Sequence, residues 1–376
     1  MGAAVRDGVA DSLLEPSLEK YGASWQEGRP SGWAKKKDTV SEHVRTLTDP
    51  GIATLAEVLD PAALGRHLRG VSLGSWDGEV VEEIQTRLLR HHEHLRCTLE
   101  IGLRTDHGWR FLIGKVYHRD RFDVFQAMEK IQQAGFGPHE EFSIPQPIAY
   151  VPSLRLLLLE KVEGPVAKQI FRTGDEQSRV AAGERCAGWL ARFHAVAPQA
   201  GPVSYPTDHL KSKSMQRCWR KMAKVGGPLA DKADSLLRRL EEAVSSLSPV
   251  EMRPSHGDYA ANQLILAEGR TVAIDWDGYD VADPSRDVGR FRAALRRLAL
   301  IRLGSIRALD TAAEVFLTSY LALSGPQVER NLRFFEAAAF LKLATHHFNP
   351  STSHWENRAE AMLDEGLRVL EQGAAL

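Results

Sequence analysis

The chain has 376 residues, 43% hydrophobic and 26% charged, enough to bury more than one core, so two lobes are expected. Forty-eight basic and 49 acidic side chains leave a formal net charge of −1, which excludes a general attraction to nucleic acid or to an anionic membrane. Cys97, Cys186 and Cys218 are odd in number and far apart, as free thiols in a reducing compartment are; with no secretion or myristoylation signal at the N-terminus and no stretch long enough to span a membrane, a cytoplasmic protein is expected.

In chain order, residues 1–78 mix Gly, Pro and Lys with two short amphipathic pieces, 52–59 and 61–68, and read as a helical N-terminal appendage. From Glu79 onward Val80, Val81, Ile84, Leu88 and Leu89 recur at helical spacing and predict a helix. Residues 95–103 and 109–117 are apolar and aromatic runs on either side of Thr105-Asp106-His107-Gly108, which suits a hairpin. Phe122, Phe125, Met128 and Ile131 then share one face of a helix that Gly135 ends. Pro145 and Pro147 start an extended stretch that leads into a buried strand at 155–160, and Val162-Glu163-Gly164-Pro165 breaks the chain after it. Beyond this point helix dominates, with Val180, Cys186, Trp189, Leu190 and Phe193 on one helix at 178–196. The exception is the pair Leu264-Ile265-Leu266 and Val272-Ala273-Ile274, two short strands around a Glu268-Gly269 turn. The expected fold is α+β and two-lobed: the appendage 1–78, a small sheet-rich lobe 79–160 and a larger helical lobe 161–376.

That late hairpin carries the chemistry. Asp258 precedes its first strand and Asp275 follows its second, so both carboxylates come to one end of it. Carboxylates beside buried strands are unfavourable to desolvate unless something positive meets them. Asp258, Gln263 and Asp275 supply one base and two oxygen ligands, a set that suits Mg²⁺. Lys115 lies on the second strand of the small-lobe hairpin, and Glu129 on the next helix could reach back to pair with it, the arrangement that clamps nucleotide phosphates in kinases. The connector after Leu159 would offer backbone groups to an adenine edge.

With these residues in place, the chain resembles the aminoglycoside phosphotransferases and their relatives, small-molecule kinases with a protein-kinase-like fold. The resemblance covers residues 80–350 and is carried by "HGDYAANQ", "AIDWD" and "DPSRDVGRF", with "WLARFHAV" and "LLLLEKVEG" in support. It implies Asp258 as catalytic base, Asp275 as metal-binding aspartate, His256 as the residue shaping the catalytic loop and Asp287 as a support behind it. It also implies Lys115 and Glu129 as the phosphate clamp, the Glu160 C=O and Val162 N–H as adenine contacts, ATP and Mg²⁺ as cofactors, and a small-molecule acceptor with a hydroxyl rather than a nucleic-acid or membrane partner. The family usually has Asn where this chain has Gln263. Using Asn262 instead would turn the buried face of Leu264-Ile265-Leu266 outward, which favours Gln263 as the ligand. Maltokinase-like sugar kinases resemble the chain in carrying Gln there, which points toward sugars as acceptors.

Other clusters have plainer readings. His91-His92-Glu93-His94 sits where adjacent side chains diverge, which argues against a metal site, and His346-His347 reads as helix surface. Asp283-Pro284 is a helix start, and Asp277 could face metal, substrate or solvent. Arg286, Arg290, Arg292, Arg296 and Arg297 read mostly as a solvated face, of which one or two could meet an anionic substrate. No G-x-G-x-x-G loop is present, which argues against an ordinary protein kinase. Two alternatives stay open: a nucleotide-binding pseudokinase with a regulatory role, and a scaffold protein acting through its N-terminal appendage.

Overall fold

The computed structural model describes residues 47–74, 79–345 and 354–372. The N-terminal signals weighed above and the His346-His347 pair lie outside these residues. Helices α1 (Leu55–Leu59) and α2 (Pro61–Leu68) lead into a five-stranded antiparallel sheet. Its strands are β1 (Val81–His92), β2 (Arg96–Thr105), β3 (Gly108–Tyr117), β5 (Pro147–Val151) and β6 (Leu156–Glu160), in the order β1-β2-β3-β6-β5. Helix α3 (Phe122–Gln133) crosses between β3 and the two-residue strand β4 (Phe142–Ser143).

The helix predicted from Glu79 is instead strand β1, paired with β2 through Ile84 opposite Leu103 and Leu88 opposite Leu99. The error has a simple cause: Val80, Ile84 and Leu88 are four apart, and an even interval fits the two-residue period of a strand as well as a helical turn. His91 and His94 accordingly fall at the β1–β2 turn, where both ring systems and the His94 N–H bind the Asp49 carboxylate.

Alternation decides what each face of the sheet does. Leu99, Ile101, Leu103, Leu112, Val116, Leu156 and Leu158 point outward and share one core with Ile52, Leu55, Val58, Leu59, Leu64 and Leu68. The described part of the appendage is therefore the outer layer of the small lobe. The opposite face carries Glu100, Ile113, Lys115, Tyr117, Leu157 and Leu159, whose register partners confirm that they share a side.

The large lobe is built on α4 (Ala167–Thr173), α5 (Glu176–Val196), α6 (Pro206–Lys211), α7 (Lys213–Val225), α8 (Gly227–Ala243), α9 (Ser285–Leu303), α10 (Asp310–Ser324), α11 (Glu329–Ala344) and α12 (Trp355–Glu371). Asp175 caps α5 by accepting a bond from the Ser178 N–H at 2.8 Å. Into this helical mass are set a three-residue strand β8 (Arg253–Ser255), the hairpin β9 (Leu264–Ala267) and β10 (Arg270–Ala273), and β11 (Asp280–Ala282); β11 pairs with β8 and with the short β7 (Val203–Ser204). Helices α9 and α11 approach closely because Gly289 has no side chain; a Cβ there would stand 2.7 Å from the Glu336 nitrogen.

The arginines expected on a solvated face are mostly buried. Arg292 and Arg296 are 6% and 4% exposed and converge on Glu336, with Glu314 and Asp310 completing the network, while Arg286 chelates Asp280. Their carboxylates come from α10, α11 and β11, so the charged stripe on α9 is an internal one. The three cysteines are free and buried, and among the described residues no helix is long and apolar enough to cross a membrane.

Candidate active site

The segment between β8 and β9 forms a tight loop under the cleft. Gly257 occupies the left-handed region (φ +79°), and a Cβ there would meet the Gly278 carbonyl oxygen at 2.2 Å, so only glycine fits. Behind the loop, the fully buried Asp287 accepts from the Ser255 hydroxyl (2.8 Å), the His256 N–H (2.7 Å) and the Gly257 N–H (3.1 Å). Burial would push this carboxyl up, but bonding and proximity to His194, with Arg286 and His256 nearby, hold it well below the usual carboxylate range. The His256 ring bonds the Ile274 carbonyl at 2.9 Å and packs on Trp276, joining this loop to the end of β10. Beneath, Trp189, Phe193, Tyr259 and Trp276 stack into one aromatic floor.

Asp258 projects from this loop with 44% of its side chain exposed, and Arg290 of α9 donates from Nε (2.9 Å) and Nη2 (2.8 Å) to its Oδ1. Burial raises its pKa, yet the cations of Arg290 and Lys342 outweigh this and hold the carboxyl below its ordinary value. Asp258 is thus an ionised, reachable carboxylate, able to orient and deprotonate a hydroxyl.

Asp275 stands at the end of β10 in the left-handed region (φ 68°). Gln263, buried in the turn just before β9, places its Nε2 3.4 Å from Asp275 Oδ2. Lys115 reaches across from β3 to bond Asp275 Oδ1 at 2.5 Å and Asp277 Oδ1 at 3.3 Å. Burial pulls the Lys115 pKa down; burial also pushes Asp275 up, but Lys115 and Arg96 reverse that and leave it far below the usual range. The carboxylates of Asp275 and Asp277 share Lys115 and Arg96 on one side of the cleft, with the Gln263 amide beside Asp275, and oxygen donors of this kind are the chemistry Mg²⁺ takes.

The pairing of Lys115 with Glu129 is not formed. Glu129 lies half-buried on α3, and the lysine's partners are the two aspartates of the other lobe. Glu160 spends its carboxylate on Arg270 (3.0 Å) and the Gln146 N–H (3.0 Å), and the buried Val162 N–H carries no hydrogen bond to any described residue. Sequence reasoning missed Arg96, which binds both Asp275 and Asp277, and Tyr117, whose hydroxyl donates to Asp277 Oδ1 at 2.7 Å. Their signal was register: Arg96 faces Tyr117 across the β2–β3 ladder, and both lie two residues from the Thr98–Lys115 pair, on its face.

A small sheet lobe and a helical lobe, with a lysine from the first on aspartates of the second, define a protein-kinase-like fold. The family model of the phosphotransferase enzyme family matches residues 104–331, and the chain belongs to that family. Among solved structures, a glucosamine kinase in complex with glucosamine, ADP and inorganic phosphate is similar at 15% identity and a TM-score of 0.56, over 80% of this chain and 84% of that one. The choline kinase of Cryptosporidium parvum Iowa II is similar at 11% identity and a TM-score of 0.54, over 83% and 95%. A thermostable mutant of aminoglycoside phosphotransferase APH(4)-Ia, in a ternary complex with AMP-PNP and hygromycin B, is similar at 14% identity and a TM-score of 0.54, over 77% and 95%. At these identities the likeness is one of fold. No curated protein matches the sequence.

Proposed function

We propose that this phosphotransferase moves the γ-phosphoryl group of ATP to a hydroxyl of a small molecule. The observation that carries the reading is the division of labour between two aspartates of one loop system. Asp258 is exposed and held by a cation of its own lobe, whereas Asp275, with Gln263 beside it, meets Lys115 from the other lobe. Phosphoryl transfer asks for positioning and charge neutralisation more than covalent chemistry, and this arrangement supports both.

Asp258 orients the acceptor hydroxyl and takes its proton. Lys115 and Arg96 meet phosphate oxygens at the small-lobe wall, and the connector at 160–165 receives the adenine edge, with the Val162 N–H as donor. Gln263, Asp275 and Asp277 would hold Mg²⁺, which when bound neutralises charge on the phosphate oxygens. Asp287 and His256 fix the loop on which Asp258 sits. The decisive test is Asp258→Asn: turnover, read as ADP release with a responsive acceptor, is expected to fall by about a hundredfold to ten-thousandfold while nucleotide binding by calorimetry persists. Near-normal turnover would reject the assignment.

A further inference from the structure

The wall of the large lobe beyond Asp258 is formed by α6, α7, α9 and α11, and its charges are unevenly matched. On α9, Arg290 is committed to Asp258 and Arg286, one turn earlier, to Asp280 and the Ser255 hydroxyl. On α11, Phe335 packs edge-on against the His209 ring of α6, and Lys342, seven residues further, lies on the same face two turns along. The Lys342 carbonyl is 3.6 Å from Cys218 Sγ on α7, which fixes this residue between α7 and α9. Its ammonium differs from its neighbours: among the described residues it has neither an ion pair nor a hydrogen bond, although it is only half-buried and within electrostatic range of Asp258, Arg290 and Arg286. His209 adds no further positive charge, since burial and these same cations drive its pKa down to about 3 and keep the ring neutral. The acids deeper in the lobe are already engaged, Asp283 by the Ser285 N–H and Asn331, Asp287 by the catalytic loop.

A partly desolvated ammonium with no ion-pair partner of its own, within electrostatic range of an Asp258 carboxylate already paired with Arg290, is a site for an anion. We infer that the acceptor carries a carboxylate or phosphate group that docks on Lys342 while its hydroxyl meets Asp258. This rests on the kinase reading above and narrows it, because the same cations disfavour a polycationic acceptor.

The test is ADP release from magnesium-ATP with three sets of polyols: neutral (glucose), cationic (glucosamine, hygromycin B) and anionic (gluconate and glycerophosphate, which separate carboxylate from phosphate). Turnover is expected only in the anionic set. There, Lys342→Gln should raise KM by about tenfold with a smaller change in kcat, and Lys342→Arg should restore most of the loss. Turnover of a neutral or cationic compound with a KM indifferent to Lys342→Gln overturns this inference and leaves the kinase reading standing. Silence in all three sets overturns both.

Discussion

The two ends of the cleft neutralise their carboxylates differently. At Asp275 and Asp277 the cations are Lys115 and Arg96, both from the small lobe, so charge balance there exists only while the lobes are together. At Asp258 the cation is Arg290, from the helix that also carries Asp287, and that pair persists whatever the small lobe does. The Asp275 end thus depends on lobe closure, while at the Asp258 end both members of the ion pair come from the large lobe.

The contrast can be broken at either side. Beyond Asp258→Asn, the largest effect is expected from Lys115→Met, which removes the inter-lobe cation: turnover should fall by about a hundredfold to a thousandfold. Small-angle scattering should also show a more open molecule. An unchanged scattering profile would mean that the ion pair does not hold the lobes. Arg290→Gln should act only at the acceptor end. Without the guanidinium the Asp258 carboxyl rises toward its ordinary pKa, so the acid limb of the kcat/KM profile should move to higher pH, with a plateau loss of less than about tenfold. A profile that keeps its shape would remove Arg290 from any role in tuning the base.

The smallest effect is expected away from both ends. Asp49 ties the outer layer of the small lobe to the β1–β2 turn. Burial pushes its carboxyl up, but bonds from the His94 and Gly51 N–H groups and both histidine rings bring it down to about 2 from 3.8. A depressed folded pKa stabilises the fold above the unfolded value and loses that contribution as pH falls through the folded one. Asp49→Asn should therefore cost about 2 kcal/mol near neutrality. The gap in Tm should start to close below about pH 4, and kcat should not change. A constant gap across that range would show that the carboxylate charge is not what holds the layer.

What was legible in the sequence was local. The β9–β10 hairpin, its Glu268-Gly269 turn and the acids at its end lie within twenty residues of one another, so turn chemistry and alternation place them together. What was not legible was the partner of each acid. Arg96 is 179 residues from Asp275, and nothing in its neighbourhood distinguishes it from a solvated strand arginine. Likewise, the α9 arginines repeat at intervals that suit a wet helix face, and only the tertiary placement of Glu336, Glu314 and Asp310 turns that face inward. Lys115 was found by its strand, but its partner was misassigned because the choice between Glu129 and two distant aspartates depends on how far the lobes close.

Strand β1 forms one margin of the five-stranded sheet, and its outer half begins with Val81, Glu82 and Glu83, all solvent-facing. The pairing with β2 shifts register between Val81 and Glu83, and Arg104 of β2 engages both consecutive carboxylates through 3.5 Å and 3.7 Å contacts. A foreign strand adding there would meet two adjacent exposed acids and a break in the register, so this margin is guarded against edge-to-edge accretion.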